Sequence, residues 1–280
     1  MKRNNRIILI SLILIMINAI FISAQEQPKT AGFRGQSING ATGLFSVPSG
    51  RIGWDDSAFG LDFGYRAVIN NNSGAAHIPA VTASILRWVE LSAIFDIQPD
   101  IGKQVNDDLI IGIKIKMPTK KTALALGGNV QFLNIGSESR AYYAYQPYIS
   151  ITYSGIFFNT NADTTLFFGK TLYSGGPKIN SNIDFGMGFD VVLFPDVFAN
   201  VVHWIIDFTN FGYSDNSWPN NSYYHTPAVM RGILNTGIRI DLSAIKALSK
   251  FKLILDFIFN DLFDSGSRSF IAGAAFGFKI

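Results

Sequence analysis

Hydrophobic and polar residues alternate along much of the chain, with a period of two. In residues 59–66, large apolar side chains interleave with glycine, aspartate and arginine, and the same pattern recurs in residues 109–117, 183–191 and 251–260. Successive side chains of a β-strand point to opposite faces. Each of these segments therefore predicts a strand with one apolar and one polar face.

The length of these segments favours a membrane barrel over a soluble sandwich. A tilted strand needs about ten residues to cross a bilayer, whereas strands of soluble proteins average about 5–6. The apolar faces are large and aromatic, as expected where lipid lies outside and water inside. The pattern predicts about twelve strands, over residues 58–67, 78–86, 89–96, 108–117, 122–133, 142–153, 164–173, 182–193, 198–208, 230–241, 251–260 and 269–280.

The connections between these segments alternate in character. Short turns are expected at residues 86–88 and 118–121, and a long polar loop at residues 209–229. This pattern predicts an all-β fold, a transmembrane antiparallel β-barrel of about 12 strands with both termini periplasmic. Two connections fit less well, because residues 154–163 are long for a periplasmic turn and residues 242–250 have the spacing of a short helix.

The N-terminus reads as a secretory signal peptide over residues 1–24. Three basic residues precede an apolar run over residues 7–22, and small residues at Ser23 and Ala24 predict cleavage after Ala24. The alternative is a retained membrane anchor, since the run is nearly long enough to span a bilayer. Export of this kind leads to the bacterial outer membrane when the mature chain is a barrel.

Cleavage would change the charge of the chain. It would remove three of the 23 Lys and Arg residues and none of the 20 Asp and Glu residues, which leaves 20 of each. A net charge near zero gives no reason to expect a nucleic-acid partner. The sequence contains no cysteine, which excludes disulfides, thiolate metal sites and a lipidated N-terminal cysteine. We expect no cofactor and no metal.

The remaining chain divides into two parts. Residues 25–56 are too polar and too rich in glycine to cross lipid, so they form either a periplasmic N-terminal segment or a plug inside the barrel. Residues 57–280 form the outer-membrane β-barrel. Residues 270–280 alternate to the last position and resemble the signature by which barrel-insertion machinery recognises its clients, although the usual terminal residue is aromatic and Ile280 is not. We expect this machinery and outer-membrane lipid as partners.

Four segments resemble the YjbH-like group of outer-membrane proteins, which is linked to exopolysaccharide. Residues 43–49 (GLFSVPS), with Arg51 after them, are similar to the opening motif of that group. Residues 88–92 (WVELS) are similar to its recurrent hairpin, and residues 206–208 (IDF) and 235–239 (NTGIR) to its later strands. The resemblance implies a barrel and a link to polysaccharide export, over about half of the mature chain.

The histidines do not match the catalytic patterns of barrel enzymes. Neither His77, His203 nor His225 has Ser two residues after it or Asp two residues before it. His203 and Asp207 share one face of a predicted strand, but four residues of strand separate them by about 13 Å, too far for a hydrogen bond. We therefore expect that the protein is not an enzyme.

The polar faces carry charged residues of both signs, which the alternation assigns to the lumen. They pair with one another in a lattice that supports the barrel, or they line a hydrated passage of weak ion selectivity. The lumen-facing candidates are Asp62, Arg66, Glu90, Lys114, Lys116, Asp184, Asp190, Asp207, Arg239, Asp241, Lys252 and Asp256.

The long loop over residues 209–229 is rich in aromatic side chains. These rings could stack on sugars or hydrophobic solutes, or they could pack the loop over the mouth of the barrel. The candidates are Phe211, Tyr213, Trp218, Tyr223 and Tyr224.

The function that these features favour is that of a channel or transport-type outer-membrane protein, with passage of polysaccharide or small solutes. Two alternatives stay open. A FadL-like transporter of hydrophobic substrates would need an apolar pocket beneath an N-terminal hatch. A non-conducting structural or adhesive surface protein would use its loops to bind a partner.

Overall fold

A computed structural model describes residues 35–70, 74–97, 107–119, 122–135, 142–157, 159–174, 183–213, 232–245, 248, 251–264 and 268–280. The predicted signal peptide over residues 1–24, and residues 25–34 after it, lie outside the described residues.

The regular secondary structure of the described residues is almost entirely β-strand. Thirteen strands are present in them: β1 (Phe59–Asn70), β2 (Gly74–Ile85), β3 (Val89–Asp96), β4 (Asp107–Lys116), β5 (Thr122–Ile135), β6 (Tyr142–Phe157), β7 (Thr160–Gly169), β8 (Leu172–Ser174), β9 (Asp184–Val192), β10 (Val202–Thr209), β11 (Ile233–Asp241), β12 (Phe251–Asn260) and β13 (Ser269–Lys279). The described part of the chain also has a four-residue helix, α1 (Pro195–Phe198), and a 3-10 helix (Leu242–Ala244). No helix in these ranges is long and apolar enough to cross a membrane.

The sheet closes on itself between the first and last strands. β1 pairs with β13 over ten residues, from Gly60 opposite Lys279 to Ile69 opposite Phe270. All other neighbours are antiparallel, and twelve strands form the barrel, while the short β8 continues beyond β7 along β6. Closure leaves no free edge, which is the condition for a sheet in lipid. The prediction of an antiparallel barrel of about twelve strands is confirmed, and the periplasmic side of its termini stays a prediction.

The two ends of the barrel carry different connections. We call the end with residues 86–88, 117–121, 158–159, 193–201 and 242–250 the short-turn end, and the opposite end the long-loop end. Leu86 and Arg87 have φ of 53° and 66°. Trp88 N donates to Ile85 O at 3.1 Å, so these two are the central residues of a β-turn, and positive φ at both gives the turn a twist that matches that of the strands.

One of the two connections that fitted the prediction poorly, residues 154–163, has a simple explanation. β6 extends to Phe157 and β7 begins at Thr160, so the predicted long link over residues 154–163 is mostly strand. Its polar residues lie on the inner face, where Ser154 stands opposite Asp163.

One predicted strand starts too early, and one predicted helix is present in part. Residues 195–198 are helical, and Ala199 and Asn200 have φ of 49° and 63°, so the strand expected from residue 198 begins at Val202. Of the helix expected over residues 242–250, the described part contains the 3-10 helix, which begins where the Asp241 side chain accepts from Ser243 N.

The outer face of the barrel is apolar. Outward side chains such as Phe63, Ile111, Ile113 and Phe259 are exposed to the surroundings, whereas the inward residues between them are buried. A closed barrel with an apolar exterior and a polar interior has the faces of a barrel that spans a bilayer.

Candidate functional site

Residues 35–57, which we call the lumenal segment, lie against the inner face of the barrel. From residue 35 to residue 50 each of them is buried, and so is Trp54. Their hydrogen-bond partners belong to β1, β2, β3, β4, β6, β10, β11 and β13. The lumen of this conformation is therefore occupied by the chain's own N-terminal part.

Two consecutive turns shape the lumenal segment. The first contains Gly40, which has a φ of 83°. A Cβ atom at this position would lie 3.1 Å from the Cβ of Ser92. Any other residue would be strained there and would crowd β3. In the second turn Leu44 N donates to Val47 O at 2.9 Å. Thr42 lies between the two turns and accepts from Ser49 N at 2.9 Å.

Glu90 on β3 is the main attachment point of this segment. Its carboxylate accepts from Thr42 N at 2.7 Å, from Thr42 Oγ1 at 2.6 Å and from Gly53 N at 2.9 Å. Lys114 on β4 pairs with Glu90 at 2.8 Å and also donates to Thr42 O at 2.9 Å. A buried ion pair needs such additional hydrogen bonds to satisfy its remaining atoms. The lumenal segment supplies them.

A second buried ion pair joins β1 and β12. Lys252 Nζ lies 2.7 Å from Asp62 Oδ2, and both side chains are fully buried. Trp54 of the lumenal segment donates from Nε1 to the other oxygen of Asp62 at 2.8 Å. The Trp54 ring also lies 5.5 Å from Lys252 Nζ and 5.6 Å from Lys279 Nζ, within the range of cation–π attraction.

A third group of charges spans β9 to β12. Arg239 donates to both oxygens of Asp256, at 2.7 and 3.1 Å, and to the Gly43 carbonyl at 3.1 Å. Asp190 lies 2.5 Å from Nδ1 of His203. Spacing along a single strand, which excludes Asp207 as a partner of His203, does not reveal this cross-strand pair. The β9–β10 register could have revealed it, since His203 stands opposite Val192 and therefore diagonal to Asp190.

Asp207 has a different environment. It accepts from Ser46 N and from Asn235 Nδ2, both at 2.7 Å, and among the described residues it has no basic partner. Ser46 Oγ accepts from Asn235 Nδ2 at 2.9 Å. The Ser46 N–H of the lumenal segment thus stabilises the Asp207 carboxylate of the wall, as a cation does at Glu90.

The lumen is apolar on one wall towards the long-loop end. Inward isoleucines of β2, β3, β4, β12 and β13 form a cluster with apolar residues of the lumenal segment. The wall residues are Ile78, Ile94, Ile110, Ile258 and Ile271, and those of the segment are Ile38, Leu44, Phe45 and Val47.

The neighbouring wall, on β5 and β6, carries amides that surround Tyr213. The Tyr213 hydroxyl donates to Gln146 Oε1 at 2.5 Å and accepts from Asn39 and Asn129, both at 3.3 Å. Burial raises the pKa of Tyr213 well above its usual value. The chain after β10 therefore enters the lumen and contacts the lumenal segment there.

The structure places eleven of the twelve lumen-facing candidates on buried inner positions: Asp62, Arg66, Glu90, Lys114, Asp184, Asp190, Asp207, Arg239, Asp241, Lys252 and Asp256. Lys116 lies at the rim, where it pairs with Asp55 of the lumenal segment at 3.0 Å. Asp184 accepts from Gln146 Nε2 at 2.7 Å. The alternation did not identify Asp163, which pairs with Arg51 at 3.3 Å.

The loop candidates divide between the lumen and the undescribed part of the chain. Phe211 and Tyr213 are buried, and the Phe211 ring packs 4.9 Å from that of Phe167. Their faces are covered by protein in this conformation. Trp218, Tyr223 and Tyr224 lie outside the described residues. Within the described ranges, no group of three or more His, Cys, Asp and Glu residues could hold a metal ion.

Comparisons with known proteins give similarity in shape alone. No protein-family model and no curated protein matches the chain. Among solved structures, the chain is similar to the NanC porin (9% identity, TM-score 0.47), with 80% of this chain and 100% of that chain covered. It is also similar to the KdgM porin (7%, 0.46, with 79% and 99% covered) and to Omp33 of Acinetobacter baumannii (10%, 0.44, with 80% and 98% covered). The assignment as a transmembrane β-barrel of outer-membrane type rests on the closed strand pairing and the apolar exterior of the chain itself.

Proposed function

We propose that the protein is a channel or transport-type barrel of the outer membrane whose passage is closed, in this conformation, by the lumenal segment. Opening requires residues 35–57 to leave the inner wall, at least in part. The solute then crosses a lumen with ion pairs at the short-turn end, and with apolar and amide groups beside the carboxylates of Asp184 and Asp207 towards the long-loop end.

The observation that carries this proposal is the bonding of Glu90. A carboxylate on the barrel wall accepts three hydrogen bonds from the lumenal segment and one ion pair from the wall. Since Lys114 stays beside Glu90 when the segment leaves, the wall keeps a compensated charge that water can solvate. The same holds for Asp62, which retains Lys252. The inner wall can therefore face water without leaving an uncompensated charge at Glu90 or Asp62.

The proposal includes the cellular placement expected from the sequence. Export by a signal peptide cleaved after Ala24, insertion by the barrel machinery and a periplasmic short-turn end are parts of it. The solute class includes saccharides, since the residues that resemble the YjbH-like group include 43–49, which form the second turn of the lumenal segment next to Asp207.

A second candidate is a non-conducting structural or adhesive barrel. It is favoured by the continuous burial of residues 35–50 and by the number of their contacts with the wall. In that case the lumenal segment is a permanent core and the surface loops carry the function.

A reversible crosslink distinguishes the two candidates. Ser46 and Asn235 side chains meet at 2.9 Å, and the chain has no natural cysteine, so Ser46→Cys with Asn235→Cys creates the only thiol pair. In planar bilayers we expect the reduced double variant to open and the oxidised one to stay closed, with recovery after reduction. Ser46→Cys alone is the matched control and should not respond to the oxidant. Absence of conduction under all conditions would refute the channel and favour the structural barrel.

A further inference from the structure

Arg66 on β1 is a buried cation that has no anionic partner among the described residues. Its side chain is 3% exposed, and in the described part of the chain it forms no ion pair. Nη2 donates to the backbone carbonyl of Gln36 at 2.5 Å, while Nη1 has no hydrogen-bond partner. Buried charges in proteins are normally paired, because the loss of hydration is otherwise uncompensated.

The other buried cations of the wall differ from Arg66 in this respect. Lys114, Lys252 and Arg239 each contact a carboxylate within 2.8 Å. Asp256 attracts Arg66 electrostatically, but both of its oxygens already accept hydrogen bonds from Arg239. The guanidinium of Arg66 therefore has donor capacity that the barrel does not use.

The surroundings of Arg66 are apolar on the side of the long-loop end. Arg66 stands opposite Ile78 on β2, and the next inward residue of β1, Val68, stands opposite Ile271 on β13. Ile271 in turn stands opposite Ile258 on β12. These side chains belong to one apolar cluster, so a cationic donor lies at the margin of an aliphatic wall.

We propose that Arg66 binds the anionic head group of an amphiphilic solute whose apolar body lies on this isoleucine wall. A carboxylate, phosphate or sulfate can accept two hydrogen bonds from a guanidinium, which a neutral carbonyl such as that of Gln36 cannot do. The ligand therefore competes with Gln36, and the apolar body takes the place of Ile38. The proposal rests on the proposed function in one respect, because the lumenal segment must move to admit the ligand.

The test uses the full chain in lipid nanodiscs, with octanoate as the probe. Equilibrium dialysis measures saturable binding above that of empty nanodiscs, and acetate and octanol serve as the head-group and chain controls. We expect octanoate to bind at least about tenfold more tightly than either control. Octanol lacks the anionic head group, and a hydrogen bond to a charged group is worth about tenfold or more. Acetate has the head group but lacks the chain that would bury apolar surface on the isoleucine wall. Arg66→Gln should lower the octanoate affinity by about the same factor, and Arg66→Lys by less.

Displacement of the lumenal segment has its own measurement. Ser37→Cys places the only thiol of the chain next to Gln36, in a buried position. Octanoate should accelerate labelling of this thiol by a water-soluble maleimide, and should fail to do so when Arg66→Gln is added. Heat-dependent gel mobility verifies that each variant is folded.

Three results would overturn the inference. Unchanged octanoate affinity in Arg66→Gln would exclude Arg66, equal affinity for acetate would exclude the apolar wall, and absence of saturable octanoate binding would exclude the site. These results are separate from the channel test, because octanoate can bind a barrel that never conducts. Conversely, if the barrel conducts but its octanoate affinity is the same with and without Arg66, the channel proposal stands and the proposed ligand site is refuted.

Discussion

The two halves of the lumen stabilise their buried residues by different means. Near the short-turn end, Lys114–Glu90 and Lys252–Asp62 are ion pairs with N–O distances of 2.8 and 2.7 Å, and backbone or indole N–H groups of the lumenal segment complete them. Towards the long-loop end, one wall is aliphatic and the lumenal segment packs on it without charged groups. The lumenal segment is thus held by hydrogen bonds to paired charges at one end, and by apolar packing together with hydrogen bonds such as that from Ser46 N to Asp207 at the other.

This difference indicates how each half responds to change. A buried ion pair is sensitive to the loss of one partner, because the other charge then stays without compensation. An aliphatic cluster is sensitive to lost volume, because the neighbours close a cavity only in part. Movement of the lumenal segment would expose charge in the first half and apolar surface in the second.

The largest effect is expected at Lys252. Lys252→Met leaves Asp62 buried with Trp54 as its remaining described donor, and we expect a loss of about 3–5 kcal/mol in the free energy of unfolding. Urea titration, followed by the change in gel mobility of the unheated protein, measures this loss.

The double variant Asp62→Asn with Lys252→Met is the control for that experiment. It removes both charges and should recover most of the stability, since no uncompensated charge remains. If the double variant were as unstable as Lys252→Met, the ion pair would not be the source of the effect.

A somewhat smaller effect is expected at Ile258 in the aliphatic cluster. Ile258 is 1% exposed, and Ile258→Ala should cost about 2–4 kcal/mol through lost transfer energy and the cavity left behind. The same urea titration applies. Ile111→Ala is the matched control, because Ile111 faces outward and lipid can fill the space that the side chain leaves. Equal losses at both positions would mean that the inner wall is no better packed than the lipid face.

The smallest effect is expected at the rim. Lys116 and Asp55 pair at 3.0 Å, but their side chains are 22% and 44% exposed. Lys116→Gln should therefore change the free energy of unfolding by less than about 1 kcal/mol, and added salt should reduce the change further. A loss as large as that of Lys252→Met would show that the short-turn rim excludes water as strongly as the lumen.

The sequence predicted the wall of the barrel better than its contents. Alternation depends only on neighbouring residues, so the inward position of Lys114 and the outward position of Ile111 could be read directly. The start of β10 was placed too early because the helical turn at Pro195 lacks an apolar period of its own.

The pairing inside the lumen could not be predicted in the same way. Lys252 and Asp62 are 190 positions apart, and their contact requires closure of the sheet and its register. The position of the lumenal segment depends on hydrogen-bond partners from eight of the described strands, none of which its own sequence identifies. Trp54 and Arg51 therefore gave no signal as lumen residues, and both alternatives for residues 25–56 stayed open.

The contacts of Ser46 and Gly43 with β10 and β11 have a consequence for assembly. They join residues 161 to 196 positions apart, so the part of the barrel chain that is synthesised first is packed against strands that are synthesised near the end. Contacts over such distances form late and slowly, because the intervening chain must be ordered first. Asp207 acquires the Ser46 N–H as a donor, and Asn235 acquires Ser46 Oγ as an acceptor, only when residues 43–46 are enclosed. Closure of the β1–β13 seam and enclosure of residues 43–46 are therefore coupled steps. A barrel that closed without these residues inside would leave Asp207 and Asn235 without hydrogen-bond partners from the lumenal segment.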